Sequence, residues 1–257
     1  MIVLFSDFGN EGPYLGQVEA KLYTETRDFR VVQLVNNAPV GNPRLSSYLL
    51  AATSADFPPG SVFLCVVDPG VGGERLPVVL KADDKWFVGP DNGLLNSVAV
   101  QAKTIHWWII HWRPDNLSAS FHGRDLFAPI AAQLANGNHP DENECYPGPD
   151  LDSWPADIAT IIYIDHYGNA MTGWRYTQDL DNKILVWNGQ HSIARANTFC
   201  DVEPGQAFWY GNSSGLVEIA VNQGRADEKL GLTPGSGFQF QDRAVGLIQG
   251  DPTRFAE

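Results

Sequence analysis

Positive charge is what this chain has least of: 17 Lys and Arg stand against 30 Asp and Glu, a formal net charge of −13 over 257 residues. A surface of that sign repels phosphate backbones and anionic lipid headgroups, so neither nucleic acid nor a membrane is expected as a partner. A cationic small molecule is compatible with it. Cysteine is scarce too. Cys65, Cys145 and Cys200 are far apart and odd in number, which suits neither a disulfide framework nor a zinc cluster and fits a reducing compartment. No apolar run approaches the length that crosses a bilayer, and Met1 to Asp7 lack the basic head of a secretory signal, so a cytoplasmic location is expected. Internal repeats, low-complexity tracts and the glycine-rich nucleotide fingerprints are missing. No His/Cys/carboxylate spacing matches a metal-ligand set, and a Ser-His-Asp hydrolase is not expected.

What is present is 44% hydrophobic residues, enough for a substantial core. Ile2 to Phe5, Val31 to Val35 and Ser61 to Val67 read as buried strands, with helical patterns from Tyr14 to Arg27 and Arg44 to Phe57 between them. Lys85 to Val88 and Ile105 to Trp108 read as further strands, and Asp125 to Ala135 as a helix. Such alternation predicts an α/β domain with a largely parallel sheet, whose ligands gather beyond the carboxyl ends of the strands. From Asn136 to Pro155 proline, glycine and acids break the pattern, so residues 1–140 are expected as an N-terminal α/β catalytic domain and 141–157 as a linker. Residues 158–257 carry short strand patterns at Thr160 to Ile164, Lys183 to Trp187, Ala207 to Tyr210 and Val217 to Val221. That spacing predicts a smaller C-terminal antiparallel β-barrel or sandwich.

Four polar clusters punctuate these elements. Ser6-Asp7-Phe8-Gly9 puts an acid at the end of the first strand, either as a helix-capping turn residue or as a carboxylate that accepts from a ribose diol. Val66-Val67-Asp68-Pro69-Gly70-Val71-Gly72-Gly73-Glu74-Arg75 ends the third strand in a loop whose glycines permit close backbone approach, with Arg75 available to orient Asp68. A surface turn with a weak ion pair reads as well from these residues alone. Ser120-Phe121-His122-Gly123-Arg124-Asp125 offers a histidine suited to proton transfer, or else a capping segment with a local Arg124–Asp125 pair. The last, Ile164-Asp165-His166-Tyr167-Gly168-Asn169, joins Asn212-Ser213-Ser214-Gly215 and Glu218 to Asn222 in supplying polar groups, or ordinary turns, to the second half.

In this order, SDFG…GPYLG, VVDPGVGGER, GPDNGLL, FHGRD, IDHYGN and NSSGLVEIAVNQGRA, the chain resembles the S-adenosyl-L-methionine hydroxide adenosyltransferases, relatives of the bacterial fluorinase and chlorinase. The resemblance runs from Leu4 to about Ala226 and implies an N-terminal α/β domain, a C-terminal β-barrel and a homotrimer with active sites at subunit interfaces. It implies a catalytic triad at Asp68, Arg75 and His122, and a ribose-binding acid at Asp7 with Phe8 and Phe121 beside it. Asp165, Tyr167 and Asn169 fall on the adenosine- and methionine-contacting segment. Asp91, Asn92, Ser213, Glu218 and Val221 fall on further ligand-contacting segments. The halogenases have a tyrosine where Asp68 stands, and the fluorinase a serine in place of Gly123, a tryptophan near Gly41 and an arginine in place of Ser214. The implied reaction is hydrolysis of S-adenosyl-L-methionine to adenosine and L-methionine, with the sulfonium compound as substrate and no cofactor. The rivals are a halogenase of the same fold, a non-catalytic binder of S-adenosyl-L-methionine or adenosine, and a nucleoside hydrolase, which would release adenine.

Overall fold

The computed structural model describes residues 1–26, 29–141, 145–189 and 191–242. The first half runs β1 (Ile2–Ser6), α1 (Tyr14–Glu25), β2 (Val31–Val35), α2 (Pro43–Ser54), β3 (Val62–Val66), β4 (Pro77–Ala82), β5 (Lys85–Pro90), α3 (Asn96–Gln101) and β6 (Ile105–Ile109). A π-helical turn over Gly123–Phe127 then leads into α4 (Ala128–Ala135). The strands form one sheet in the order β2-β1-β3-β5-β4-β6; the pairs among β2, β1, β3 and β5 are parallel, and β4 is antiparallel to both of its neighbours.

The central strands β1 and β3 are buried at every position, which is why they read as unbroken apolar runs. Their alternation feeds two cores. Val3, Phe5, Phe63 and Cys65 face the layer of α2 and α3, whereas Ile2, Leu4, Val62, Leu64 and Val66 face that of α1 and α4. Helix α2 starts where Asn42 accepts a hydrogen bond from the Leu45 N–H at 3.1 Å, with Pro43 pre-set at the first helical position. The expected helix end at Arg27 lies outside the described residues, and α1 closes at Glu25. Strand β4 and helix α3 are additions to the expected elements. The β4–β5 hairpin turns through Asp83 and Asp84, with Asp83 at φ 49°, a turn without the Asn-Gly or Asp-Gly signature.

The second half comprises β7 (Ile161–Ile164), β8 (Ala170–Arg175), β9 (Lys183–Trp187), β10 (His191–Ile193), β11 (Ala207–Gly211), β12 (Leu216–Val221), α5 (Ala226–Leu230) and β13 (Phe238–Asp242). These strands make two antiparallel sheets, β11-β12-β8-β7 and β10-β9-β13. Isolated bridges at Thr160–Gly237 and Arg195–Trp209 join the sheets, so the expected barrel appears as two sheets rather than one continuous closed ladder. A separate core of Ile161, Leu185, Trp209, Val217, Ile219 and Phe238 lies between them.

The stretch expected to be a linker is packed down by its aromatic residues. Tyr146 bridges to Trp107, and Trp154 stacks on Tyr48 (6.1 Å, 14°) while donating to Ser97 Oγ at 3.0 Å. Ile162 and Leu216 of the second half enter the α2–α3 core of the first. Among the described residues no helix is long and apolar enough to cross a membrane.

Candidate active site

Beyond the carboxyl end of β3 the chain turns at Pro69-Gly70, with Val71 N–H donating to Asp68 O (3.2 Å) and Gly73 N–H to Gly70 O (3.0 Å). Gly72 sits at φ 79°, where a Cβ would lie 2.6 Å from the Ala119 carbonyl oxygen. Only glycine lets this loop press against the strand of chain that leads to His122. Asn92 braces the same loop from behind by donating to the Val67 carbonyl at 2.9 Å.

The loop folds Arg75 back onto Asp68. Arg75 Nε donates to both carboxylate oxygens at 3.1 and 3.0 Å and Nη2 to Oδ2 at 2.5 Å, and the two side chains are only 10% and 4% exposed. The same Nη2 contacts His122 Nδ1 at 2.8 Å. A guanidinium has no acceptor, so Nδ1 accepts, and the imidazole carries its proton on Nε2. Burial and then the Arg75 charge push the His122 pKa below its usual 6.5, which keeps the ring neutral beside the cation. The Arg75 guanidinium also lies 5.5 Å from the Phe127 ring centroid. One cation therefore organises an acid seven positions before it and a histidine 47 positions after it. Of the two readings for FHGRD, the local pair is present as well: Arg124 Nε donates to Asp125 Oδ1 at 2.6 Å.

Asp7, at the end of β1, shares a cleft of ≈ 180 Å³ with Asp68 and His122; Phe8 and Phe121 are among its walls. Asp7 Oδ2 accepts from the Gly41 N–H at 2.8 Å, and burial raises its pKa above 3.8, with a smaller contribution from Asp68. Phe8 and Phe121 meet edge to face at 5.7 Å. A Cβ on Gly123 would lie 3.0 Å from Phe8 Cζ, so a serine there would need this ring to give way.

A larger cavity of ≈ 650 Å³ opens in the second half. It gathers Asp165, Tyr167, Asn169, Ser213, Glu218 and Val221, all expected in the site. Asp165 accepts from Asn169 N–H at 2.8 Å and from Asn169 Nδ2 at 3.1 Å, which closes the turn after β7. Glu218, 2% exposed on β12, accepts from the Tyr210 hydroxyl and from Asn212 Nδ2 (2.7 Å). Burial raises the Glu218 pKa despite these donors, and Asp165 adds to the rise; burial and Glu218 raise that of Tyr210. Asn212, from the polar cluster picked out in the sequence, also lines it, and Tyr210, Phe199, Met171, Gln223 and Gly224 complete the walls and were not expected. A lone glutamate in the apolar strand LVEIAV was the signal for Tyr210 and Asn212, which reach it from the paired strand and its turn.

Asp91 and Asn92 line neither cavity. Asp91 instead accepts from the Tyr146 hydroxyl at 2.6 Å. Gly211 to Gly215 spells G-x-S-x-G, but it forms the turn between antiparallel β11 and β12 rather than a strand-to-helix elbow. Among the described residues no group of three or more His, Cys, Asp or Glu could hold a metal ion.

A mostly parallel sheet with an ion-paired acid and a histidine beyond its strand ends, followed by antiparallel sheets, one of which carries an acidic, ring-lined cavity, defines an α/β enzyme for a small ligand. The chain belongs to the SAM hydroxide adenosyltransferase family, matching its N-terminal domain over residues 2–144 and its C-terminal domain over residues 159–239. It is 33% identical over 249 residues to an (R)-S-adenosyl-L-methionine hydrolase of Salinispora tropica, covering 90% of this chain and 93% of that one. It is 34% identical over 253 residues to the enzyme of the same name from Thermus thermophilus, covering 91% and 96%. Among solved structures, an uncharacterized conserved protein from Thermotoga maritima superposes with a TM-score of 0.84 at 30% identity, over 93% of this chain and 99% of that one.

Proposed function

We propose that this protein hydrolyses S-adenosyl-L-methionine to adenosine and L-methionine, with water or hydroxide attacking the ribose 5′ carbon in line with the departing sulfur. The observation that carries this reading is Arg75 clamping together Asp68 and His122, two residues that line the Asp7 cleft. The leaving group is a neutral thioether and needs no acid, so the chemical demand falls on the nucleophile. Asp68, held at three points, accepts the water proton. His122, whose Nδ1 is occupied, offers only an Nε2–H and therefore orients the oxygen rather than deprotonating it. A positioned base supplies about 10²–10⁴-fold, and in-line alignment up to roughly 7–11 kcal/mol.

Asp7 takes the ribose hydroxyls, with Phe8 and Phe121 as walls. Asp165, Tyr167, Asn169, Ser213, Glu218 and Val221 hold the rest of the ligand, and Asp91 and Asn92 act through packing. The cleft at Asp68 and the cavity at Glu218 have no lining residue in common, which supports a site completed between the N-terminal half of one subunit and the C-terminal half of the next in a homotrimer. In this reading residues 1–140 and 158–257 are the two domains, 141–157 joins them, the two antiparallel sheets are the sides of a barrel, and the enzyme works in the cytoplasm without a cofactor.

The names of the relatives specify the R configuration at sulfur. A sulfonium centre inverts thermally, so a pool of S-adenosyl-L-methionine accumulates a second epimer. A hydrolase confined to that epimer removes the by-product and spares the cofactor, and we assign this chain to the R epimer on that ground. The test is incubation with each separated epimer, with and without chloride or fluoride, and identification of products by chromatography. Adenosine and methionine from the R epimer are expected; adenine, a 5′-halo nucleoside or no product would overturn the reading.

A further inference from the structure

The ligand end of this site has one sign of charge. Asp7 and Asp68 line the cleft of the first half, and Asp165 and Glu218 line the cavity of the second. Among the described residues no lysine or arginine lines either. The guanidiniums nearby in the chain are committed: Arg75 to Asp68, Arg124 to Asp125, and Arg225 to Asp227 and Glu228. Ser214 lines a different cavity, together with Tyr48, Arg175 and Tyr176.

S-adenosyl-L-methionine carries a sulfonium, an ammonium and a carboxylate. Carboxylates and the rings of Tyr167, Phe199 and Tyr210 suit the two cations. Among the described lining residues the ligand carboxylate finds no cation to pair with, and the amides of Asn169 and Asn212 already donate to Asp165 and Glu218. We infer that the enzyme reads the amine and the sulfonium but not the carboxylate, and so also hydrolyses S-adenosyl sulfonium amines that lack it, a claim that rests on the hydrolase reading above. The step balances as before. Water oxygen bonds to C5′, the C5′–S bond breaks with its electron pair on sulfur, and the proton leaves through Asp68. The products are adenosine and an aminoalkyl thioether.

The test compares kcat/KM of the wild-type protein for S-adenosyl-L-methionine and for S-adenosyl-3-(methylthio)propylamine, both supplied as sulfonium epimer mixtures, by adenosine release. A preference for the amino acid smaller than about tenfold is expected, less than one charge-assisted hydrogen bond supplies. A preference of about tenfold or more would overturn the inference and leave the hydrolase reading standing. Adenosine from neither compound would overturn both.

Discussion

Asp68→Asn is the sharpest perturbation, because it keeps the shape of the side chain while removing its charge. Asparagine presents one oxygen to an arginine that now makes three hydrogen bonds to the carboxylate, and it cannot take a proton from water. Losing a positioned base costs about 10²–10⁴ in kcat, or about 2.7–5.4 kcal/mol of transition-state stabilisation. Stability falls as well. Arg75 is 10% exposed, and removing one partner of a buried pair typically costs about 3–5 kcal/mol, with the low end expected while the amide oxygen remains. Adenosine release, adenosine affinity by calorimetry and thermal unfolding should therefore be measured on one preparation, well below its melting temperature. The expected pattern is kcat down at least 100-fold with adenosine affinity nearly unchanged. The double variant Asp68→Leu/Arg75→Met separates the two effects, since an apolar replacement of both partners recovers stability but not turnover. Asp68→Asn with kcat within about tenfold of wild type would refute the assignment of the base.

Asp7→Asn removes the charge from the acceptor proposed for the ribose hydroxyls, so KM is expected to rise about 10-fold or more with a smaller change in kcat; equal losses in both would refute a binding role. Because the folded pKa of His122 lies below 6.5, the unfolded chain takes up its proton first on acidification. The His122 contribution to stability is thus complete above pH 6.5 and lost as pH falls through the folded pKa, together with kcat/KM. His122→Gln is expected to flatten that limb in a titration of melting temperature. Gly72→Ala combines a positive φ with a Cβ 2.6 Å from Ala119 O, and is expected to lower stability by about 1–3 kcal/mol in denaturant unfolding; an unchanged midpoint would refute the close approach. Inactive Asp68→Asn and Asn169→Ala chains, refolded together, are expected to regain part of the activity if sites form between subunits, and to stay inactive if each chain is complete alone.

The legible parts of this fold were those whose neighbours matter least to the pattern. Strands β1 and β3 are buried on both faces, so their apolar runs survive any context. Strand β4 was hidden because its hairpin turns on two aspartates, and α3 because six residues are too few to show a period. The catalytic candidates were legible as separate motifs, Asp68 and Arg75 in one loop and His122 in another. Their contact was implied only by the family resemblance and not by the residues themselves, since it depends on Gly72 pressing that loop against residue 119. Asp91 and Asn92 are hard to read for the same reason: polar residues in a glycine turn look ligand-facing, and only the fold shows Tyr146 and the Val67 carbonyl hydrogen-bonded to them. The proline-rich stretch read as a spacer because its composition outweighed Tyr146 and Trp154, the two residues that tie it down.

The two-faced burial of β3 has a bearing on how such an enzyme can change. A slip of one residue in that strand would exchange the layers on which Phe63, Cys65, Val62 and Leu64 sit, and with them the direction in which the following loop leaves the sheet. The aim of Asp68 is thus guarded by residues that never meet the ligand. New chemistry on this scaffold can come readily by replacing Asp68 where it stands, whereas inserting or deleting a residue upstream would sacrifice both cores at once.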